Sequence, residues 1–209
     1  MMNDEDGTAH IPAALTRPDA PAGPGIVMLC TANVCRSVMA APLLARRLAA
    51  LGVMTPVRSA GMTRGGDPPL PEVISVMTSY GIETAAHRSR VAGTADLAQA
   101  TLVLAMSREN LRYAVTTAPE AWPRAFTLKE VIRRGERIGP RPPGEPFSGW
   151  LSRAHAGRER VALLGDSAED DVADPAGGPW RAYADTARLL ERLVTRLAEL
   201  GWGHSRPAH

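Results

Sequence analysis

The chain has 209 residues and a formal net charge of +2. That length suits one domain with extra loops, whose core needs no disulfide staples. A near-neutral balance gives no support to nucleic-acid binding, and no apolar run approaches a membrane span, so neither partner is expected.

Residues 1–24 are acidic, then rich in Pro, Ala and Gly, and read as a disordered tail. IVML (26–29) reads as a short buried strand. The loop CTANVCRS follows, then VMAAPLLARRLAALG, whose apolar residues recur at helical spacing until Gly52. VRSAG (57–61) reads as a strand and turn, GGDPPLP (65–71) as a loop, and EVISVMTSYG as a helix ended by Gly81. TLVLAM (101–106) is the clearest buried strand. SRENLRYAVTTAP is a helix capped by Ser107, and TLKEVIRRGE a further helix. IGPRPPGEPFSG (138–149) reads as a Pro/Gly loop, WLSRAHAGRERVALL as helical, and GDSAEDDVADPAGGPW (165–180) as an acidic loop. The amphipathic run 183–201 closes the chain ahead of a second short tail, 202–209. Strands alternating with helices predict an α/β fold in three layers: a parallel sheet of about four strands with helices on both faces, within one domain over 25–201.

The chain has only two cysteines, Cys30 and Cys35, both in MLCTANVCRSVMA. The sequence lacks a charged-then-apolar leader pattern at its start, so a cytoplasmic setting with reduced thiols is expected. A strand, a tight loop and a helix N-terminus make an anion cradle, because loop amides point inward and the helix dipole adds positive charge. The same donors stabilise a thiolate placed there. Arg36 adds a planar fork that matches two phosphate oxygens. Ser37 is placed to cap the helix and to donate to the thiolate, and Asn33 tolerates left-handed backbone angles in mid-loop. A four-thiolate zinc site lacks two cysteines, and only His87 and His155 lie outside the terminal segments. An inert buried pair of cysteines is the stronger alternative, but Arg-Ser directly after Cys35 is unusual company for an inert core.

This segment resembles the low-molecular-weight protein tyrosine phosphatases, whose signature is a C-x5-R-S phosphate-binding loop after the first strand. RSAG (58–61), GIETAAHRSRV (81–91), LVLAMSRENL (102–111) and DVADP (171–175) are similar to later family segments in the same order. The likeness spans about residues 26–200, with an apparent insertion at about 120–165. It implies hydrolysis of protein phosphotyrosine or related phosphomonoesters through a cysteinyl-phosphate, with no cofactor and no metal. It further implies that Cys30 is the nucleophile, Arg36 the phosphate clamp and Asp174 the general acid. Thr31, Ala32, Asn33, Val34, Cys35 and Ser37 form the phosphate-binding loop, and Asn33, Ser37 and Ser59 steady the loop and the thiolate. As a neighbouring thiol, Cys35 is placed to capture an oxidised Cys30 as a disulfide; a plain packing role is the alternative.

The departures from the family pattern matter. Val38 and Ala41 stand where Pro and Glu are usual, and Pro42 interrupts the helix pattern. Ala176 and Gly177 follow Asp174-Pro175, and Met62, Thr63 and Arg64 follow RSAG, at places where the family often carries aromatic walls. Trp180 and Tyr183 are the nearby rings that could replace them. A weakened or altered tyrosine preference is expected. Val34 offers no hydroxyl where arginine phosphatases of this fold tend to carry Thr, which argues against phosphoarginine. An arsenate reductase resolved by an external thiol and a non-catalytic phosphate-binding module are the rival readings. Arg133, Arg134, Arg137 and Arg141 in the insertion are read as solvated charges ahead of an acidic-partner site.

Overall fold

Ile26–Leu29 forms β1, with all four residues buried. The strand is apolar throughout because both of its faces are covered, as parallel sheets require. The computed structural model describes residues 24–203. The other strands are β2 (Val57–Ala60), β3 (Leu102–Ala105) and β4 (Ala125–Thr127). They pair in the order β2-β1-β3-β4, all parallel. The chain leaves β1 toward β2 on one side and reaches β3 on the other. The carboxyl end of β1 is therefore the topological switch point, where open α/β sheets hold their ligands.

The helices are α1 (Arg36–Ala50), α2 (Pro71–Ser79), α3 (Thr94–Ala98), α4 (Arg108–Thr117), α5 (Leu128–Ile138), α6 (Phe147–His155) and α7 (Trp180–Trp202). Alternating strand residues divide the core. Ile26, Met28, Leu102, Leu104 and Phe126 pack with α1, α5, α6 and α7 on one face. Val27, Leu29, Val103 and Ala105 pack with Leu97 of α3 and with Leu111 and Ala114 of α4 on the other. Trp150 of α6 is wholly buried, and its Nε1 donates to Gly139 O at 3.0 Å. Ser107 caps α4 as expected, accepting from Asn110 N at 3.3 Å. α1 runs unbroken through Pro42, which costs the bond that would reach back to Val38 but does not end the helix.

Several expectations need correction. The strand Ala125–Thr127 was not separated from the helix it feeds, because three residues give no alternation to read. α3 was also missed. α6 begins at Phe147, inside the stretch read as a Pro/Gly loop, since Pro146 can start a helix as readily as end one. The run after α6 is a short 3-10 turn, Arg160–Leu163. α7 starts at Trp180 and reaches Trp202, which is helical and buried and so belongs to the domain, not to the tail that the sequence predicts from residue 202. The remainder of both tails, 1–23 and 204–209, lies outside the described residues. Among the described residues, no helix is long and apolar enough to cross a membrane.

Candidate active site

Cys30 follows β1 directly and is buried. The loop that it opens turns over on Asn33, which has φ 56, the only positive φ outside glycine among the described residues. Asn visits that region at low cost because its short amide bonds locally. Every polar group of Asn33 is used. Its amide N donates to Cys30 Sγ at 3.3 Å, and its carbonyl meets His87 Nε2 at 2.9 Å. Its side-chain Nδ2 donates to Ser37 Oγ at 2.9 Å, and its Oδ1 accepts from Arg90 N at 3.0 Å. The loop is thus held from below by one residue that is itself wholly buried.

Other loop carbonyls are tied outward. Thr31 O accepts from Met62 N at 2.8 Å, and Val34 O accepts from Leu70 N at 3.1 Å. The amides of Thr31, Ala32, Val34, Cys35 and Arg36 have no acceptor among the described residues. Outward carbonyls and unspent amides are the pattern of an anion nest. Gly61, at the end of β2, lets the loop come this close. A Cβ there would meet Thr31 O at 2.8 Å and Asn33 N at 3.0 Å.

Ser37 Oγ lies 3.0 Å from Cys30 Sγ. That oxygen also accepts from Asn33 Nδ2, so one hydroxyl joins the loop amide to the sulfur, and it can donate to the sulfur once the sulfur is ionised. Ser37 does not cap α1: it sits inside the first turn, and Cys35 occupies the N-cap position without a side-chain bond. Burial pushes the Cys35 thiol far above its ordinary range, with Asp174 and Cys30 adding to the effect. Cys30 and Cys35 are both free thiols. Ser59 is buried on β2 beside Met28, and its hydroxyl makes no hydrogen bond to the loop among the described residues.

Arg36 is buried, and its guanidinium is held on two sides. Nη1 donates to Val172 O at 3.1 Å, and Nη2 to Thr31 Oγ1 at 3.3 Å and Asp174 Oδ2 at 2.5 Å. Its Nε is buried with no partner among the described residues, a donor that a phosphoryl oxygen would satisfy. Asp174 is exposed, and its Oδ1 accepts from Ala176 N at 3.2 Å. The fold therefore brings Cys30, Arg36, Ser37 and Asp174 together from opposite ends of the sequence. Around them lie Met62, Ala176 and Gly177. Tyr183 does not form a wall: it is buried, and its hydroxyl accepts from Gly177 N at 3.1 Å. Trp180 is 56% exposed at the start of α7.

Residues that sequence reasoning did not assign complete the frame. His87 lies within the GIETAAHRSRV segment, whose pattern assigns it no role. Burial lowers its pKa, outweighing the bond from Asn33, with Arg88 and Arg90 adding to the shift. Asn110 Nδ2 donates to Thr31 Oγ1 at 3.2 Å. Lys129, the only lysine, donates to Ala168 O at 3.0 Å and Asp171 O at 2.6 Å, pinning the loop that carries Asp174. None of these has a motif of its own; each is found only through its contacts. Among the described residues, no three or more His, Cys, Asp or Glu side chains gather to hold a metal.

The family model for low molecular weight phosphotyrosine protein phosphatase matches residues 25–138. A protein-arginine-phosphatase from Geobacillus stearothermophilus is 33% identical over 175 residues, which cover 83% of this chain and 93% of the relative. A probable low molecular weight protein-tyrosine-phosphatase EpsP from Ralstonia nicotianae is 30% identical over 181 residues, covering 84% of this chain and 97% of the relative. The crystal structure of a low molecular weight protein tyrosine phosphatase from T. tengcongensis matches with a TM-score of 0.63 at 30% identity, covering 85% of this chain and 98% of that one. The chain accordingly belongs to the low molecular weight phosphotyrosine protein phosphatase family, and it is a cysteine-based phosphatase.

Proposed function

We propose that the chain hydrolyses phosphotyrosyl protein or a related phosphomonoester at the Cys30 loop, in a reducing, cytoplasmic setting. The observation that carries this is the convergence on one sulfur. Ser37 Oγ and Asn33 N both reach Cys30 Sγ, and Arg36 keeps an unspent Nε nearby. Cys30 attacks phosphorus in line, and the P–O bond to the leaving group breaks as Asp174 delivers its proton to that oxygen. Water then attacks the cysteinyl-phosphate. Asp174 accepts the water's proton, and the P–S bond breaks to return the thiolate and inorganic phosphate. The loop amides and Arg36 carry the charge on the equatorial oxygens, the main demand of phosphoryl transfer.

Asp174 Oδ2 sits on Arg36 at 2.5 Å. A phosphoryl group entering the cradle competes for that guanidinium and releases Asp174 toward the leaving oxygen. The absence of aromatic residues at 62–64 and 176–177 supports a broad leaving-group range, since no ring from these positions sandwiches the substrate.

Phosphoarginine is the second reading, favoured by the arginine-phosphatase relative. Val34, which brings no hydroxyl to the loop, favours the ester. The phosphatase names of the relatives favour hydrolysis over arsenate reduction. Turnover of aryl phosphate, phosphotyrosyl peptide and phosphoarginyl peptide by the native chain tests the choice. Cys30→Ser abolishes turnover, and Asp174→Asn slows it most for poor leaving groups. A chain that releases phosphate faster from phosphoarginine than from either ester overturns the substrate assignment.

A further inference from the structure

The segment after β4, with Arg108 and Trp122 ahead of it, lines an open cleft of about 230 Å³ that shares no residue with the catalytic loop. Four guanidiniums line it, those of Arg108, Arg133, Arg134 and Arg158, against the carboxylates of Glu130, Glu159 and Asp170. The excess is positive, and the groups differ in how firmly they are committed.

Arg158 is a fixture. Its side chain is 2% exposed, held by Glu130 through bonds of 2.7 and 2.9 Å, and it lies 3.9 Å from the Trp122 ring centre. Asp170 is strapped between Arg108 Nε at 2.7 Å and Arg133 Nη2 at 2.6 Å. Burial opposes its charge, but Arg133 and Arg108 outweigh that and hold its carboxyl below the usual range. The cavity thus already binds one anion, contributed by its own chain. Arg134 has no carboxylate partner among the described residues: Nε and Nη2 end on the carbonyls of Ala154 and Ala156. Burial lowers its pKa; Glu130 opposes this, and crowding by Arg137 and Arg133 adds to it.

We propose that this cavity is a second anion site, for a short polyphosphate chain that competes with Asp170 for Arg108 and Arg133. The volume is below that of pockets that enclose drug-sized ligands, so the cavity has room for a phosphate chain but not to enclose a whole nucleotide. Guanidiniums match phosphate oxygens in bidentate geometry.

The site also touches catalysis, and this part alone rests on the reading of Asp174 as the acid. Asp170 lies four residues before Asp174 in one anchored loop. Asp171 Oδ1 accepts from Arg108 N at 2.8 Å, and Val172 O accepts from Arg36 at 3.1 Å. An anion that draws the guanidiniums from Asp170 loosens this anchor and lowers kcat. By linkage, whatever holds the loop in place weakens the anion.

The test uses inorganic tripolyphosphate and the full-length chain carrying Arg36→Ala, which removes the catalytic guanidinium. Calorimetric titration is expected to show one binding event. It weakens about tenfold with Arg133→Gln and again with Arg134→Gln. Glu159→Gln, which removes an exposed negative charge from the rim, tightens it severalfold and guards against misfolding as the explanation. ATP binding no more tightly than tripolyphosphate assigns recognition to the phosphates alone, and tighter ATP binding makes a nucleotide the source of the chain. In the native enzyme, tripolyphosphate lowers kcat for aryl phosphate, separately from the rise in KM that competition at the catalytic cradle brings, and Arg133→Gln removes the kcat component. Absence of binding to Arg36→Ala, or binding indifferent to Arg133, Arg134 and Glu159, overturns the site. Native turnover of aryl phosphate without tripolyphosphate judges the phosphatase reading separately.

Discussion

The hydroxyl of Ser37 lies 3.0 Å from the sulfur of Cys30 and 2.9 Å from Nδ2 of Asn33. One oxygen therefore relays the buried amide of Asn33 to the nucleophile. Ser37→Ala removes a donor to a charged acceptor, an interaction of about 1.5–3 kcal/mol. Turnover is expected to fall about tenfold to a hundredfold with KM little changed. Steady-state kinetics on an aryl phosphate check this; an unchanged kcat would mean that the hydroxyl is not directed at the sulfur.

Gly61 touches the same loop from the end of β2. A methyl group placed there meets backbone atoms of Thr31 and Asn33, which have no rotamer to escape into. Gly61→Ala displaces the loop, and a displacement of about 1 Å at reacting groups costs on the order of a hundredfold in rate. Kinetics and thermal melting together separate this from general unfolding: activity falls much further than the melting temperature.

The burial of His87 beneath the loop predicts acid sensitivity. Burial holds its folded pKa below the ordinary 6.5. The unfolded chain then binds the proton more readily, so stability rises with pH across that window. The contribution is whole above about 6.5 and is lost as pH falls toward the folded pKa. His155, lowered by burial and by Arg158 and Arg134, acts in the same direction. Urea midpoints at pH 5 and pH 7.5 should differ less in His87→Gln than in the native chain, and least in the variant that also carries His155→Gln.

Gly135 on α5 faces Trp150, whose Cζ2 would lie 2.7 Å from an added Cβ, with Leu200 Cδ1 at 3.1 Å. Trp150 is fully buried and cannot retreat. Gly135→Ala is expected to destabilise by about 1–3 kcal/mol, the usual cost of overpacking. Denaturant titration reads the loss, while turnover per folded molecule stays near native because Gly135, Trp150 and Leu200 all lie outside the catalytic loop.

The sequence declared its chemistry where spacing along the chain and distance in space coincide. Cys30, Arg36 and Ser37 lie on one turn, so their pattern is local and readable. Asp174 was reachable only through the ordered likeness of DVADP to a family segment. His87, Asn110 and Lys129 were unreadable in their roles, because each acts through a contact across the fold and no local pattern marks it. β4 escaped for a different reason: a three-residue strand feeding straight into a helix carries no period. Trp202 was misassigned because its burial comes from stacking on Phe147, with ring centres 4.3 Å apart, which no reading of the last helix alone could supply.

The clamp on Arg36 reaches Val172 and Asp174, 136 and 138 positions downstream. During synthesis, the nucleophile and its cradle leave the ribosome long before the residues that complete them. A nascent chain ending ahead of residue 172 holds a sulfur and a guanidinium without their acid. Full competence then waits for roughly the last fifth of the polypeptide to dock, and partly made molecules are left with a slower, acid-free reaction.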